Sequence, residues 1–109
     1  DSPLAFAQDR AALAFARHAI ASGFDLTATG DRRAFYYMPF MHSEQIQAQD
    51  DGVRFFADRL PGSTYVDYAR KHRDIVARFG RFPHRNRVLE RPMTAEEQRF
   101  LEQGGATFS

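Results

Sequence analysis

Residues 78–91 combine side chains that often bind anions with two phenylalanines. The stretch reads RFGRFPHRNRVLER and holds five arginines, one histidine and one asparagine. Guanidinium groups bind phosphate or carboxylate through paired hydrogen bonds, and a histidine transfers protons near neutral pH. We therefore predict an anion-binding role for this stretch. Its candidate ligand-binding residues are Arg78, Arg81, His84, Arg85 and Asn86.

Positive charge is concentrated around the same stretch. Residues 70–91 contain eight Lys or Arg and two acidic residues, whereas the 109-residue chain has a formal net charge of +1. This asymmetry indicates either an anionic ligand or internal ion pairs with acids elsewhere, such as Asp9, Asp50 or Asp51. A nearly neutral domain argues against nucleic-acid binding, because domains that bind nucleic acid are usually basic.

His72 lies on the apolar side of a helix predicted from Ser63/Thr64 to Phe79. Its helically spaced neighbours on that side are Tyr65, Tyr68/Ala69, Ile75/Val76 and Phe79. A buried imidazole needs a hydrogen-bond partner. Two interpretations remain open: a backbone carbonyl satisfies the ring, or the ring faces a cavity as a general base or ligand.

A second polar and aromatic segment, FYYMPFMHSE, covers residues 35–44. Ser43 is predicted to cap the next helix, with Glu44 in its first turn. His42, Ser43 and Glu44 are adjacent and cannot form a catalytic triad, whose members converge from different elements. We expect this segment to meet residues 78–86 beside His72, which adds Tyr37, His42 and Glu44 to the predicted site.

Metal and cysteine chemistry are not expected. The chain has no cysteine, which excludes disulfides, thiolate zinc ligands and cysteine nucleophiles. The four histidines show no HExxH motif or comparable ligand spacing. We therefore predict neither a metal nor a cofactor.

The elements that must position these residues are predicted to be helices. No stretch alternates with a period of two, so no sheet is expected. The first helix is predicted from Ser2-Pro3 to Ser22, before Gly23, and its alanine and apolar positions surround nearly the whole helix. Asp31 is predicted to cap a short segment to Met38 that Pro39 ends or kinks. Thr94 to Glu97 forms a capping-box pattern.

We therefore expect a single all-α domain over residues 1–109, a compact antiparallel array of about five to six helices. No apolar run is long enough to span a membrane, and the N-terminal residues show no secretory signal. A cytoplasmic location is the expectation that follows.

Four strings carry a family resemblance: FAQDRAALAFARHAIASGFD (6–25), FYYMPFMHSE (35–44), RKHRDIVARFGRFPHRN (70–86) and TAEEQRFLEQ (94–103). Over nearly its whole length the chain resembles the bacterial family called domain of unknown function 924. The resemblance implies an all-α, tetratricopeptide-like fold and no established activity, substrate or cofactor. Family members usually carry a further N-terminal portion, so the chain is expected to be the C-terminal part of the family domain. An aromatic patch left exposed by its absence would favour homo-oligomers.

Three functions stay open from the sequence. The leading hypothesis is a helical binding module whose polar and aromatic cleft takes a small anion or an acidic peptide end. The alternative is a hydrolase or phosphoryl-handling enzyme with His72 or His84 as general acid or base. In the third, the arginines of residues 78–91 only stabilise the fold by pairing with acids of other helices.

Overall fold

The computed structural model describes residues 3–105, with side chains from Arg10 onward, and these residues form helices and connections only. The predicted all-α class is confirmed. The helices are α1 (Pro3–Ala21), α2 (Gly30–Phe35), α3 (Met38–Met41), α4 (Ile46–Arg59), α5 (Thr64–Phe79) and α6 (Ala95–Glu102), with short 3₁₀ helices at Phe24–Thr27 and Pro83–Arg85. The predicted cap Ser2 lies outside the described residues.

Three predicted helix boundaries are confirmed by their backbone geometry. Gly23 and Gly80 follow α1 and α5 with φ angles of 79° and 74°, in the left-handed region that glycine enters without steric cost. At the start of α6, the Glu97 N–H donates to the Thr94 hydroxyl and the Thr94 N–H donates to the Glu97 carboxylate, both at 3.0 Å. This is the predicted capping box.

The segment between α1 and α4 differs from its prediction. Thr29, rather than Asp31, precedes α2, and the Asp31 carboxylate accepts a hydrogen bond of 2.9 Å from the Tyr65 hydroxyl. Pro39 lies in the first turn of α3. Backbone N–H groups in a first turn have no acceptor within the helix, so the N–H that proline lacks is not needed there. A helix break therefore occurs before Pro39, and the proline helps to begin the next helix.

Most of the buried apolar residues form one main cluster between α1, α3, α4 and α5. α4 and α5 are joined by residues 60–63 and pack against each other as a helical hairpin. Phe56 lies at the centre of this cluster, 5.3 Å from the ring of Tyr37 and 5.6 Å from that of Tyr65. Gly52 allows α4 to approach α3, because a Cβ at this position would lie 2.7 Å from the Cβ of Phe40.

A buried ion pair ties the first 3₁₀ helix to this cluster. Asp25 is fully buried and accepts hydrogen bonds from the Tyr37 hydroxyl, at 2.5 Å, and from Arg59. Burial and the neighbouring carboxylate raise the pKa of Tyr37. The same carboxylate would be costly to bury without these donors.

A smaller cluster lies at the C-terminal end of α5. Its buried residues are Ile75, Val76 and Phe82, with Phe79 and Phe100 packed against them. Phe100 brings α6 to this end of the domain. The smaller cluster therefore contains part of residues 78–91, the predicted anion-binding stretch.

Candidate functional site

Phe82 is the centre of the candidate site. Its ring is buried and lies 5.7 Å from the ring of His72 and 5.5 Å from that of His84, measured between centroids. The guanidinium carbon of Arg85 lies 4.7 Å from the centroid of the same ring, a cation–π distance. α5 supplies His72, and the turn after Gly80 supplies the other three residues. The predicted meeting of His72 with this turn is observed.

His72 points inward, as its helical spacing predicts. Its Nδ1 lies 2.7 Å from the carbonyl oxygen of Tyr68, so this nitrogen carries the proton and Nε2 is the acceptor. Burial, followed by the charges at His42, His84 and Arg85, lowers the pKa of His72 to about 4. The ring is therefore neutral at physiological pH.

His42 brings the earlier segment to the same place. It follows α3, and its ring centroid lies 6.4 Å from that of His72. His42 is largely exposed whereas His72 is buried. The pair thus extends from solvent to the ring of Phe82.

His84 differs from His72 in its hydrogen bonding. Its Nδ1 is buried and has no hydrogen-bond partner among the described residues. Burial and the charges of Arg85 and Arg91 lower the pKa of His84, while the Glu44 carboxylate acts in the opposite direction. A buried ring nitrogen without a partner is unusual, because most buried polar atoms are paired.

Glu44 closes the site from the other side. Its two carboxylate oxygens accept bonds of 2.8 and 2.9 Å from Arg91, and one of them accepts a 2.6 Å bond from the N–H of Phe82. Burial alone would raise the pKa of Glu44, but these donors together lower it. The carboxylate is therefore ionised and held in place by the turn.

The predicted local role of Glu44 is wrong. α4 begins at Ile46 after Gln45, and the Ser43 hydroxyl accepts a bond from the Gln45 N–H without capping the helix. Glu44 thus lies before α4, outside its first turn. A two-pronged guanidinium partner stabilises the carboxylate more than an exposed helix end does.

Arg91 and Asn86 complete the support of the turn. Arg91 donates to the Asn86 side-chain oxygen at 3.0 Å and to the Phe82 carbonyl at 3.2 Å. Asn86 is fully buried. Arg91 was not among the predicted site residues, because 47 residues separate it from Glu44 and no local spacing rule links them.

Arg81 and Arg78 are engaged with α6. Arg81 donates to both oxygens of Glu97, at 2.8 and 2.7 Å, and to the carbonyl of Pro92. The hydrogen bond from Arg81 is the largest cause that lowers the pKa of Glu97 to about 2. Arg78 bonds Glu96 at 3.0 Å. These contacts support a structural role for both arginines in docking α6.

The structure therefore brings together six of the predicted site residues, and it places three of them elsewhere. The group around Phe82 contains His42, Glu44, His72, His84, Arg85 and Asn86. Arg78 and Arg81 face α6, and Tyr37 is fully buried in the main cluster with its hydroxyl bonded to Asp25.

Of the acids named as possible partners, Asp50 pairs with an arginine of residues 70–91, whereas Asp51 pairs with arginines outside that stretch. Arg73 bonds Asp50 at 2.8 Å and Arg17 bonds Asp51 at 3.1 Å. The side chain of Asp9 lies outside the described residues. The arginines of residues 78–91 pair instead with Glu44, Glu96 and Glu97.

Within residues 10–105, the histidine and acidic side chains form no group suited to hold a metal ion. None of the helices in the described part of the chain has the length and apolar character that crossing a membrane requires.

Residues 3–105 thus form helices and connections, with a cluster of histidine and arginine side chains around Phe82. A family model described as "Bacterial protein of unknown function (DUF924)" matches residues 1–105. The chain belongs to this family. Comparison with curated proteins found no significant match.

A solved structure supports the same assignment. The chain is similar to a protein of unknown function from Agrobacterium tumefaciens, with 44% identity and a TM-score of 0.88. The similarity covers 95% of this chain and 58% of that one. The present chain thus spans little more than half of that relative.

Proposed function

We propose that this chain is a helical binding module that takes a small anion, a phosphate or a carboxylate such as an acidic peptide end, beside Phe82. The observation that carries the proposal is the convergence of His72, His84 and Arg85 on the buried ring of Phe82, with His42 beside His72. Such convergence of polar groups on an aromatic surface is typical of ligand sites.

The electrostatics of the group favour an anion. Burial, and to a smaller extent the charge of Arg85, lowers the pKa values of both His72 and His84, which means that further positive charge is disfavoured there. The charge of Glu44 is balanced by its two bonds to Arg91. A bound anion would relieve this repulsion and would raise the pKa values of both histidines.

The His84 ring supplies a hydrogen-bonding position for such a ligand. Its buried Nδ1 has no partner within the described part of the chain. An anion carrying a proton could donate to this nitrogen, and a protonated His84 could donate to the anion. The same residue then provides both recognition and a pH response.

The test is a titration of inorganic phosphate, and separately of acetate, followed by the NMR signals of the histidine rings. We expect the signals of His72 and His84 to shift and their pKa values to rise, while exposed His18 on α1 stays unchanged. Arg85→Ala should abolish the response, and Arg87→Ala, at an exposed arginine of the same turn, should retain it. Unchanged His72 and His84 signals at millimolar anion would contradict the proposal.

The second candidate function is a hydrolase or phosphoryl-handling enzyme with His84 as general base. The specific observation in its favour is again the buried Nδ1 without a described partner, on a ring whose pKa is lowered. A neutral imidazole is the form that accepts a proton. Phosphatase and esterase substrates should then be turned over by the wild type and not by His84→Ala. Equal rates in both would reject this role.

Further expectations belong to the proposal. The tetratricopeptide-like type is supported by the α4–α5 hairpin, and the location is proposed to be the cytoplasm. Neither a nucleic acid nor a membrane is a proposed partner, and assembly into homo-oligomers is an outcome tested below.

A further inference from the structure

A cavity of about 670 Å³ lies between α1 and α2, away from the site around Phe82. Residues 27–29 and Pro39 form part of its wall. α1 contributes Ala12, Phe15 and Ala16, α2 contributes Arg32 and Phe35, and Tyr36 follows α2 directly. Residues three or four apart lie on the same face of a helix, so α1 and α2 each turn one face towards the groove.

α1 is apolar on two sides, and only one of them is covered by described residues. Leu13, Ala16 and Ile20 are buried in the main cluster. On the outer side, Phe15 has 69% of its surface exposed, and Phe35 on α2 has 71% exposed. A helix with apolar residues around most of its circumference is typical of positions with neighbours on two sides.

We propose that this groove binds an amphipathic helix that carries an acidic residue opposite Arg32. The small side chain of exposed Ala12 permits close approach of a helix backbone, and Phe15 and Phe35 provide apolar walls. Amphipathic helices bind apolar grooves through residues spaced by three and four, so the apolar face of the bound helix would lie between Phe15 and Phe35.

The charge of the groove indicates which partner helix fits it. Of the residues that line the cavity, Arg32 alone is charged, so a carboxylate is the matching group. A second copy of the same face would bring another arginine to the groove instead of an acid. A helix with an apolar face and one acid therefore fits better than self-association.

The similar Agrobacterium protein provides the probe, because its chain extends beyond the part aligned here. Its unmatched polypeptide is co-expressed with the present chain, and complexes are measured by light scattering after gel filtration. We expect a one-to-one complex. Phe35→Ser and Arg32→Glu should each weaken association at least tenfold. Tyr68→Ser on α5 and Arg99→Glu on α6, both at exposed positions, should leave it unchanged.

Three results would overturn the proposal. They are a complex equally weakened by the α5 and α6 variants, no complex at all, and a homodimer of this chain alone that Phe35→Ser dissociates. The solved coordinates of the relative give an independent readout that does not depend on folding of the probe. Its residues aligned with Phe15 and Phe35 should lie beneath a helix of the unmatched polypeptide, and solvent exposure of both would reject the inference.

Discussion

The two hydrophobic clusters of this domain are held together in different ways. The main cluster contains eleven buried residues among those described, and the smaller cluster contains three. Around the smaller cluster, bidentate arginine–carboxylate pairs join Arg81 to Glu97 and Arg91 to Glu44. Because the smaller cluster buries little apolar surface, these ion pairs hold its chain segments in place. The candidate site lies in this second region, so its geometry depends on charge.

The largest effect is expected in the main cluster. Phe56→Ala removes a fully buried ring that contacts Tyr37 and Tyr65, and it should lower the free energy of unfolding by about 3–5 kcal/mol. Urea denaturation measures the loss, which should be the same in low and high salt. Phe15→Ala, at an exposed ring, is the matched control and should change stability little. A strongly salt-dependent loss for Phe56→Ala would show that the main cluster also depends on charge.

The next effect is a pH dependence in the second region. His72 titrates at a pKa of about 4 when folded and near 6.5 when unfolded, so the unfolded state binds more protons between these values. Stability should fall as pH drops from 6.5 to 4, by roughly 2–3 kcal/mol for this one group. His72→Phe should flatten that part of the profile, and His18→Phe should not. Parallel profiles for His72→Phe and wild type would contradict the assignment.

A smaller effect is expected at the ion pair that supports the site. Glu44→Gln removes the charged acceptor of Arg91, and the expected cost is about 2 kcal/mol. Amide hydrogen exchange should increase in residues 82–91 and stay unchanged in α4. Glu90→Gln, at an exposed acid of the same turn, is the control. If the Glu44 variant leaves exchange at the Phe82 N–H unaltered, the pair does not order the turn.

The smallest effect is expected at the start of α6. Thr94→Ala removes the hydroxyl that accepts from the Glu97 N–H, at a cost of about 1 kcal/mol. Ser63→Ala is the comparison variant, because the Ser63 hydroxyl donates to the Leu60 carbonyl and makes no capping bond to α5. Thermal melts compare the two variants. A larger loss for Ser63→Ala would show that the local cap contributes less than described.

The sequence predicted the features that depend on short-range spacing. The inward position of His72 followed from helical periodicity, the capping box from two residues three apart, and the end of α5 from Gly80. Each involves groups within about one helical turn, where geometry is nearly independent of the rest of the fold. Of these features, the inward position of His72 and the end of α5 bear directly on the candidate site.

The remaining features depend on contacts between distant parts of the chain. Glu44 satisfies a local rule for a helix start, yet its partners Phe82 and Arg91 lie 38 and 47 residues away. Tyr37 was grouped with His42 by proximity in sequence, but the break between α2 and α3 turns it towards Asp25. Only the packing of the helices decides which of many arginines meets which acid.

Gly52 packs in the main cluster, yet a substitution there would also affect the candidate site. Because no room exists for a methyl group between it and Phe40, Gly52→Ala would push α3 away from α4. His42 follows α3 directly and Glu44 comes two residues later, so both would shift with it. One methyl group added to α4 would thus displace the His42 imidazole and the Glu44 carboxylate of the candidate site.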